Sequence, residues 1–229
     1  MHRQNFFLAA ALASLALPAA AQYPRWYAGS AGGQSQTSDD LVSNRESTVV
    51  NAVPGTIQSD FDSKGNAWKA FGGFRFNDMI AIEINYADLG RHHLTTSFVG
   101  GDPAFPGSIS ITRKISGFGA DAVFSVPFGE RFALFGRVGA FRSRLEADAV
   151  LDGSVVFTNA PGERQRSVAQ NETVAKFGVG GDWWFRPNAA LRLEWERYQK
   201  IGKAFAVGGS GTTGEADTDS VTLGVMMRF

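Results

Sequence analysis

From about residue 25 to the end of the chain, apolar residues recur at every second position. Val221, Leu223, Val225, Met227 and Phe229 are separated by Ser220, Thr222, Gly224, Met226 and Arg228. Ile80, Ile82, Ile84 and Tyr86 alternate with Ala81, Glu83, Asn85 and Ala87, and Leu191, Leu193 and Trp195 with Arg192, Glu194 and Glu196. The same rhythm runs through Phe118–Val126, Phe132–Ala140 and Phe177–Phe185, with weaker runs near Trp26 and Trp68. Period two is the signature of a strand with two unlike faces, and the 3.6-residue period of an amphipathic helix is absent. The pattern predicts eight strands at 25–33, 66–76, 79–90, 112–126, 131–146, 172–185, 189–202 and 219–229. Phe135 and Trp184 fall on the otherwise polar side.

The connections alternate in length. Asn77-Asp78, Pro127 to Glu130 and Arg186-Pro187-Asn188 are short, whereas 34–65, 91–111, 147–171 and 203–218 are long and rich in Ser, Thr, Gly, Asp and Asn. Even strand number, alternating segments of ~10 residues and short turns opposite long loops are the marks of an outer-membrane barrel. Lipid offers backbone groups no hydrogen bonds, so a sheet that crosses it must close on itself. The expected fold is therefore all-β: an eight-stranded antiparallel transmembrane β-barrel, up-and-down, with short periplasmic turns and long extracellular loops. Its apolar face points to lipid and its polar face inward. Trp26, Phe76, Phe128, Phe132, Phe185, Trp195 and Phe229 lie near strand ends, where interfacial girdles place aromatic residues.

The first 22 residues follow a different logic. Arg3, an apolar stretch from Phe6 to Leu17, Pro18 and Ala19-Ala20-Ala21 before Gln22 fit a cleaved secretory signal. Residues 1–21 are read as that signal and 22–229 as the barrel domain. Composition fits export to an envelope. The chain has 229 residues, 22 Lys plus Arg against 22 Asp plus Glu, and no cysteine. Zero net charge excludes a polybasic nucleic-acid binder, and the missing thiols exclude disulfides, thiolate metal sites and cysteine nucleophiles. Three histidines leave little material for a catalytic or metal-binding cluster, and no cofactor is expected.

Several runs resemble a known family. Ala70-Phe71-Gly72-Gly73-Phe74-Arg75-Phe76-Asn77, then Glu83 and Tyr86-Ala87-Asp88-Leu89-Gly90, resemble the second hairpin region of the OmpA-like transmembrane domain. Leu134-Phe135-Gly136-Arg137-Val138-Gly139 resembles its fifth strand, Arg192-Leu193-Glu194-Trp195 its seventh, and Leu223-Gly224-Val225 with Arg228-Phe229 its last. The resemblance implies charged pairs in the lumen, with Glu83, Arg137, Asp182, Arg192 and Glu194 at matching positions. In the family the pair at the Glu83 and Arg192 positions acts as a gate; the lysine that serves there as the alternative partner aligns with Val123 here. Phe229 is similar to the C-terminal signal read by barrel-assembly machinery. The sequence ends where the barrel ends, so the family's peptidoglycan-binding domain is not expected.

Read from strand parity alone, the inward mid-barrel charges are Glu83, Asp121, Asp182 and Glu194 against Arg75, Arg137 and Arg192, with Arg228 near the rim. An eight-stranded barrel is just wide enough for side chains to fill, so these charges are expected to form either a structural plug or a gate. Other motifs weigh less. Gly117-Phe118-Gly119-Ala120-Asp121-Ala122 has dinucleotide-loop spacing but sits inside a strand, where its glycines serve close packing. His92 and His93, adjacent on a strand, face opposite sides and make a poor metal pair. Asn171-Glu172-Thr173 is a glycosylation sequon of little meaning in a bacterial envelope protein. Ser97 and Ser143 are the candidate nucleophiles if the rim were a lipid-modifying enzyme, and a soluble lipocalin-like barrel is the rival fold. The expected role is non-enzymatic, a surface protein in contact with outer-membrane lipid, lipopolysaccharide and a ligand of the loops, with a narrow pore as the second class.

Overall fold

A computed structural model describes residues 25–38, 55–100, 105–153, 162–202 and 216–229. The strands are β1 Trp26–Thr37, β2 Gly55–Asp62, β3 Lys64–Arg75, β4 Ile80–Gly100, β5 Phe105–Phe128, β6 Phe132–Gly153, β7 Gln165–Arg186, β8 Ala189–Ile201 and β9 Ala216–Arg228. From β3 onward each strand pairs antiparallel with the next, and β1 pairs with both β3 and β9, closing the ring. β2 is the upward continuation of β3 beyond Ser63, and it pairs with β4. The eight predicted strands thus form an eight-stranded, up-and-down barrel.

The short turns have local causes. Asn77 Oδ1 accepts the backbone N–H groups of Met79 and Ile80 at 2.9 and 2.8 Å, folding the first hairpin over its own side chain. Gly129 turns the second with φ +68°, a conformation other residues adopt at a cost. Both ends of the described chain lie at this turn end, where the Phe229 N–H bonds to the Trp26 carbonyl at 2.9 Å.

The polarity is inside out. Ile82, Leu193 and Val225 are 53%, 57% and 48% exposed, while Glu83 and Arg192 are 1% exposed. A lipocalin-like barrel requires the reverse. On β5 the outward apolar band runs from Phe128 to Phe118. Ten residue steps make ~33 Å along the strand, or ~25 Å along the normal at ~40° tilt, the thickness such a band must cover. Trp26, Phe74 and Phe76 pack edge to face at the turn end, and Trp68, Tyr86 and Phe118 form a second row at the other, with centroids 4.9–5.4 Å apart.

The strands exceed their predicted ends. Residues 91–100 pair with 105–114, and 144–153 with 107–116, where long loops at 91–111 and 147–171 were expected. The physical reason is a second change of polarity. On β6 the outward residues are Phe132, Leu134, Gly136, Val138 and Ala140, then Arg142, Arg144, Glu146 and Asp148; the inward ones change from Arg137 to Phe141, Leu145, Ala147, Ala149 and Leu151. Above the apolar band the sheet obeys the rule of a soluble protein, burying its apolar face. The glycine-rich run at 208–211 and the leader expected at 1–21 lie outside the described residues.

Candidate functional site: the charged lumen

Two apolar layers bracket the lumen charges. The lower one, at the turn end, contains Tyr27, Phe71, Ala81, Val123, Phe135, Ala190 and Met226, with Trp184 against it. The upper one contains Leu89, Ile115, Phe141, Leu145, Val174, Tyr198 and Ile201 among others. Val123, where the resemblance led to a lysine, belongs to the lower layer. Inner rings fit because glycine lies opposite them. A Cβ on Gly73 would come within 2.3 Å of the Tyr27 ring, and one on Gly180 within 2.4 Å of the Phe135 ring.

Between the layers, nine charged residues form one network, which a tenth, Arg75, joins from the turn-end rim. Glu83 is its hub. It accepts Arg137 Nη1 on Oε1 at 2.9 Å, and Arg192 Nη1 and the Tyr27 hydroxyl on Oε2 at 2.8 and 3.0 Å. Arg192 also binds Asp182 through two parallel bonds of 2.7 and 3.0 Å, the strongest geometry for such a pair. Its guanidinium lies 4.9 and 4.6 Å from the Phe71 and Phe135 ring centres, so the charge that leaves water meets π faces as well as carboxylates. Asp121 takes Lys176 at 2.9 Å, Arg137 at 3.4 Å and the Asn85 amide at 2.7 Å. Glu194 pairs with Lys69 and with Arg137 at 3.1 Å. Arg75 reaches Asp182 at 3.8 Å from the rim, and Arg228 lies 4.3 Å from the Trp184 ring centre.

Three members, Lys69, Lys176 and Glu196, were not singled out from the sequence. Glu196 is a second hub, accepting Lys69 at 3.0 Å, Lys176 at 3.1 Å, Arg137 at 3.2 Å and the Tyr198 hydroxyl at 3.1 Å. Parity could have found all three: Glu196 continues the series Arg192, Glu194, Lys176 precedes the series Gly178, Gly180, Asp182, and Lys69 shares the parity of Gly73 and Arg75. With them, Glu83, Asp121, Asp182, Glu194 and Glu196 oppose Lys69, Arg75, Arg137, Lys176 and Arg192, five charges against five among the described residues. Apart from Arg75, none of these side chains is more than 2% exposed.

The histidines and serines sit above this network. His92 faces inward and His93 outward, so no single ion could take both. His92 Nε2 lies 3.2 Å from Ser35 Oγ, a contact sequence reasoning missed; the Ser35 hydroxyl is already committed to the Leu89 carbonyl. His93 Nδ1 is 3.0 Å from the Thr112 hydroxyl. Ser143 is buried and donates to the Glu172 carbonyl at 3.3 Å, and Ser97 is exposed on the outer face.

Comparison with known proteins agrees with this architecture. Residues 7–229 match the family described as outer membrane protein beta-barrel domain. The chain belongs to that family. Outer membrane protein A of Escherichia fergusonii is 26% identical over 233 residues, covering 100% of this chain and 56% of its own length. The Shigella dysenteriae protein of the same name is 25% identical over 206 residues, covering 89% and 48%. The chain therefore spans about half the length of these relatives. Among solved structures, Neisserial surface protein A superposes with a TM-score of 0.47 at 13% identity, covering 89% of this chain and 97% of that one. OprG from Pseudomonas aeruginosa gives 0.47 at 10% identity, covering 90% and 97%. The family match and the curated relatives make the chain an OmpA-like outer-membrane β-barrel domain.

Proposed function

We propose that this protein is a sealed, non-enzymatic barrel of the outer membrane whose extended strands and loops present a surface outside the cell. In this reading residues 1–21 are removed on export, Phe229 is the signal read during barrel assembly, and the turn end with both termini faces the periplasm. The observation that carries the reading is the filled lumen: a balanced ion network with two apolar layers across its ends. Ion passage would require parting Glu83 from two arginines and displacing Phe135 and Phe141, each packed over its neighbours. A plug of this kind holds a narrow barrel together, since breaking a buried pair costs about 3–5 kcal/mol. The extended sheet supplies a rigid platform above the lipid, the arrangement from which loops make contacts.

Planar-bilayer recording of the refolded protein tests the seal. The expected outcome is no steady conductance at any holding potential. Steady unitary steps, altered in Glu83→Ala, would replace this reading with a narrow pore gated by the Glu83–Arg192 pair.

A further inference from the structure

Some outward-facing cations beyond the apolar band are neutralised: Arg144 donates to Glu146 at 2.9 Å and Arg197 makes a two-bond pair with Asp219 at 2.8 and 2.7 Å, while Arg142, level with Phe118, donates to the Thr173 hydroxyl at 3.2 Å. Lys64, Arg91 and Lys114 form no ion pair among the described residues, although they lie on three neighbouring strands and line one recess of about 440 Å³. Arg91 and Lys114 are direct cross-strand partners, like charges side by side, and Glu146, the partner of Lys114 on its other side, is held by Arg144. Asp88 also lines the recess; its carboxylate accepts the Gly90 N–H at 2.8 Å and keeps its charge, so the lining carries two net positive charges; the Asp62 carboxylate accepts the Lys64 backbone N–H at 3.3 Å.

The backbone makes this recess. β4 carries a bulge between Asp88 and Arg91, and Gly65 and Gly90 leave its wall without side chains. Its lower edge is Trp68, the first ring of the Trp68–Tyr86–Phe118 row. Lys114 stands four residues above Phe118, ~13 Å along the strand and ~10 Å along the normal. That is headgroup depth, within reach of long side chains that dip toward the interface.

We propose that Lys64, Arg91 and Lys114 form a binding site for the phosphorylated headgroup of a lipid anchored in the outer leaflet, with its acyl chains against Trp68, Tyr86 and Phe118. The assignment rests on the outward orientation of the extended strands given above. Three cations less the Asp88 charge leave two positive charges around the recess, which match a phosphomonoester of nearly two negative ones. The aromatic row beneath them is what makes an anchored phosphate the better ligand than a free one.

Titration calorimetry on the full chain in neutral detergent tests the site with three probes: phosphorylated lipid A, the same lipid stripped of phosphate, and inorganic phosphate. At about fivefold per cation, the Lys64→Gln, Arg91→Gln, Lys114→Gln variant should bind phosphorylated lipid A about a hundredfold more weakly. The Arg142→Gln variant, which removes an outward cation held by a hydroxyl and frees no carboxylate, should bind as the wild type does. Dephosphorylated lipid should not distinguish the proteins. Raising salt from about 0.1 to 0.5 M should weaken wild-type binding, a readout that survives any failure of the triple variant to fold. Undiminished binding by a folded triple variant, or salt-independent binding, overturns the site. Inorganic phosphate binding as tightly as the lipid overturns the lipid assignment in favour of a free-anion site. Orientation is read separately, by labelling Ser97→Cys on intact cells with an impermeant maleimide. Absence of label would overturn the outer-leaflet placement, and the calorimetry would still judge the cations.

Discussion

Glu83 shows what one residue contributes in a medium without water. Its carboxylate divides its two oxygens between Arg137 and Arg192, and both guanidinium groups are buried. Glu83→Ala leaves a net positive charge in the lumen and should cost about 3–5 kcal/mol in urea unfolding from lipid vesicles. Glu83→Gln keeps the shape and should cost less. His92 presents the opposite case, a group that stays neutral. Burial, with the Arg113 guanidinium beside it, pushes its pKa from 6.5 down to about 4; the Asp62 charge opposes this weakly. A folded pKa below the unfolded one means the unfolded chain binds more protons between these values. Stability of the upper barrel is therefore full above about pH 6.5 and falls as pH drops toward 4. The protection factors of strand amides near His92, each taken against the intrinsic exchange rate at the same pH, should fall over that window, and His92→Gln should flatten the dependence.

At the scale of the element, β4 carries the most instructive irregularity. Below it the even-numbered residues Ile82, Ile84 and Tyr86 face outward; above it Arg91 and His93 do. The change of parity is made by Leu89-Gly90 opposing the single residue Ile115, with Gly90 at φ +81°. A Cβ there would meet the Asn66 carbonyl oxygen at 2.5 Å. Gly90→Ala should destabilise by about 1–2 kcal/mol. Deleting Gly90 should turn His92 outward and His93 inward, which chemical modification of the two imidazoles in the folded protein would reveal. This bulge also explains what could be read from the sequence. The lipid-spanning half of each strand was legible because lipid leaves one face no choice. The upper halves were not, because a parity search tuned to apolar-outward loses phase at Gly90 on β4 and reverses sign at Phe141 on β6. Lumen residues were legible one at a time, by parity. Their pairing was not legible by parity: the family resemblance offered Glu83 with Arg192, but that Glu196 gathers Lys69, Lys176 and Arg137 from three other strands depends on the tilt and stagger of the closed sheet.

The whole molecule is one sheet serving two solvents. The same outward parity of β6 presents Val138 to lipid and Asp148 to water. Val138→Arg should cost about 2–4 kcal/mol in folding from urea into vesicles, whereas Asp148→Arg should change it little. If the two cost the same, the boundary has been drawn in the wrong place. That boundary is narrow. Between Ala140 and Arg142, a step of ~5 Å along the normal, the outer surface passes from uncharged to cationic. Such a step fixes the protein's draught, as a waterline fixes a hull's. In a thicker bilayer the barrel is held from sinking deeper by its arginines, so the neighbouring acyl chains must shorten to meet it, and the barrel carries with it a collar of thinned membrane.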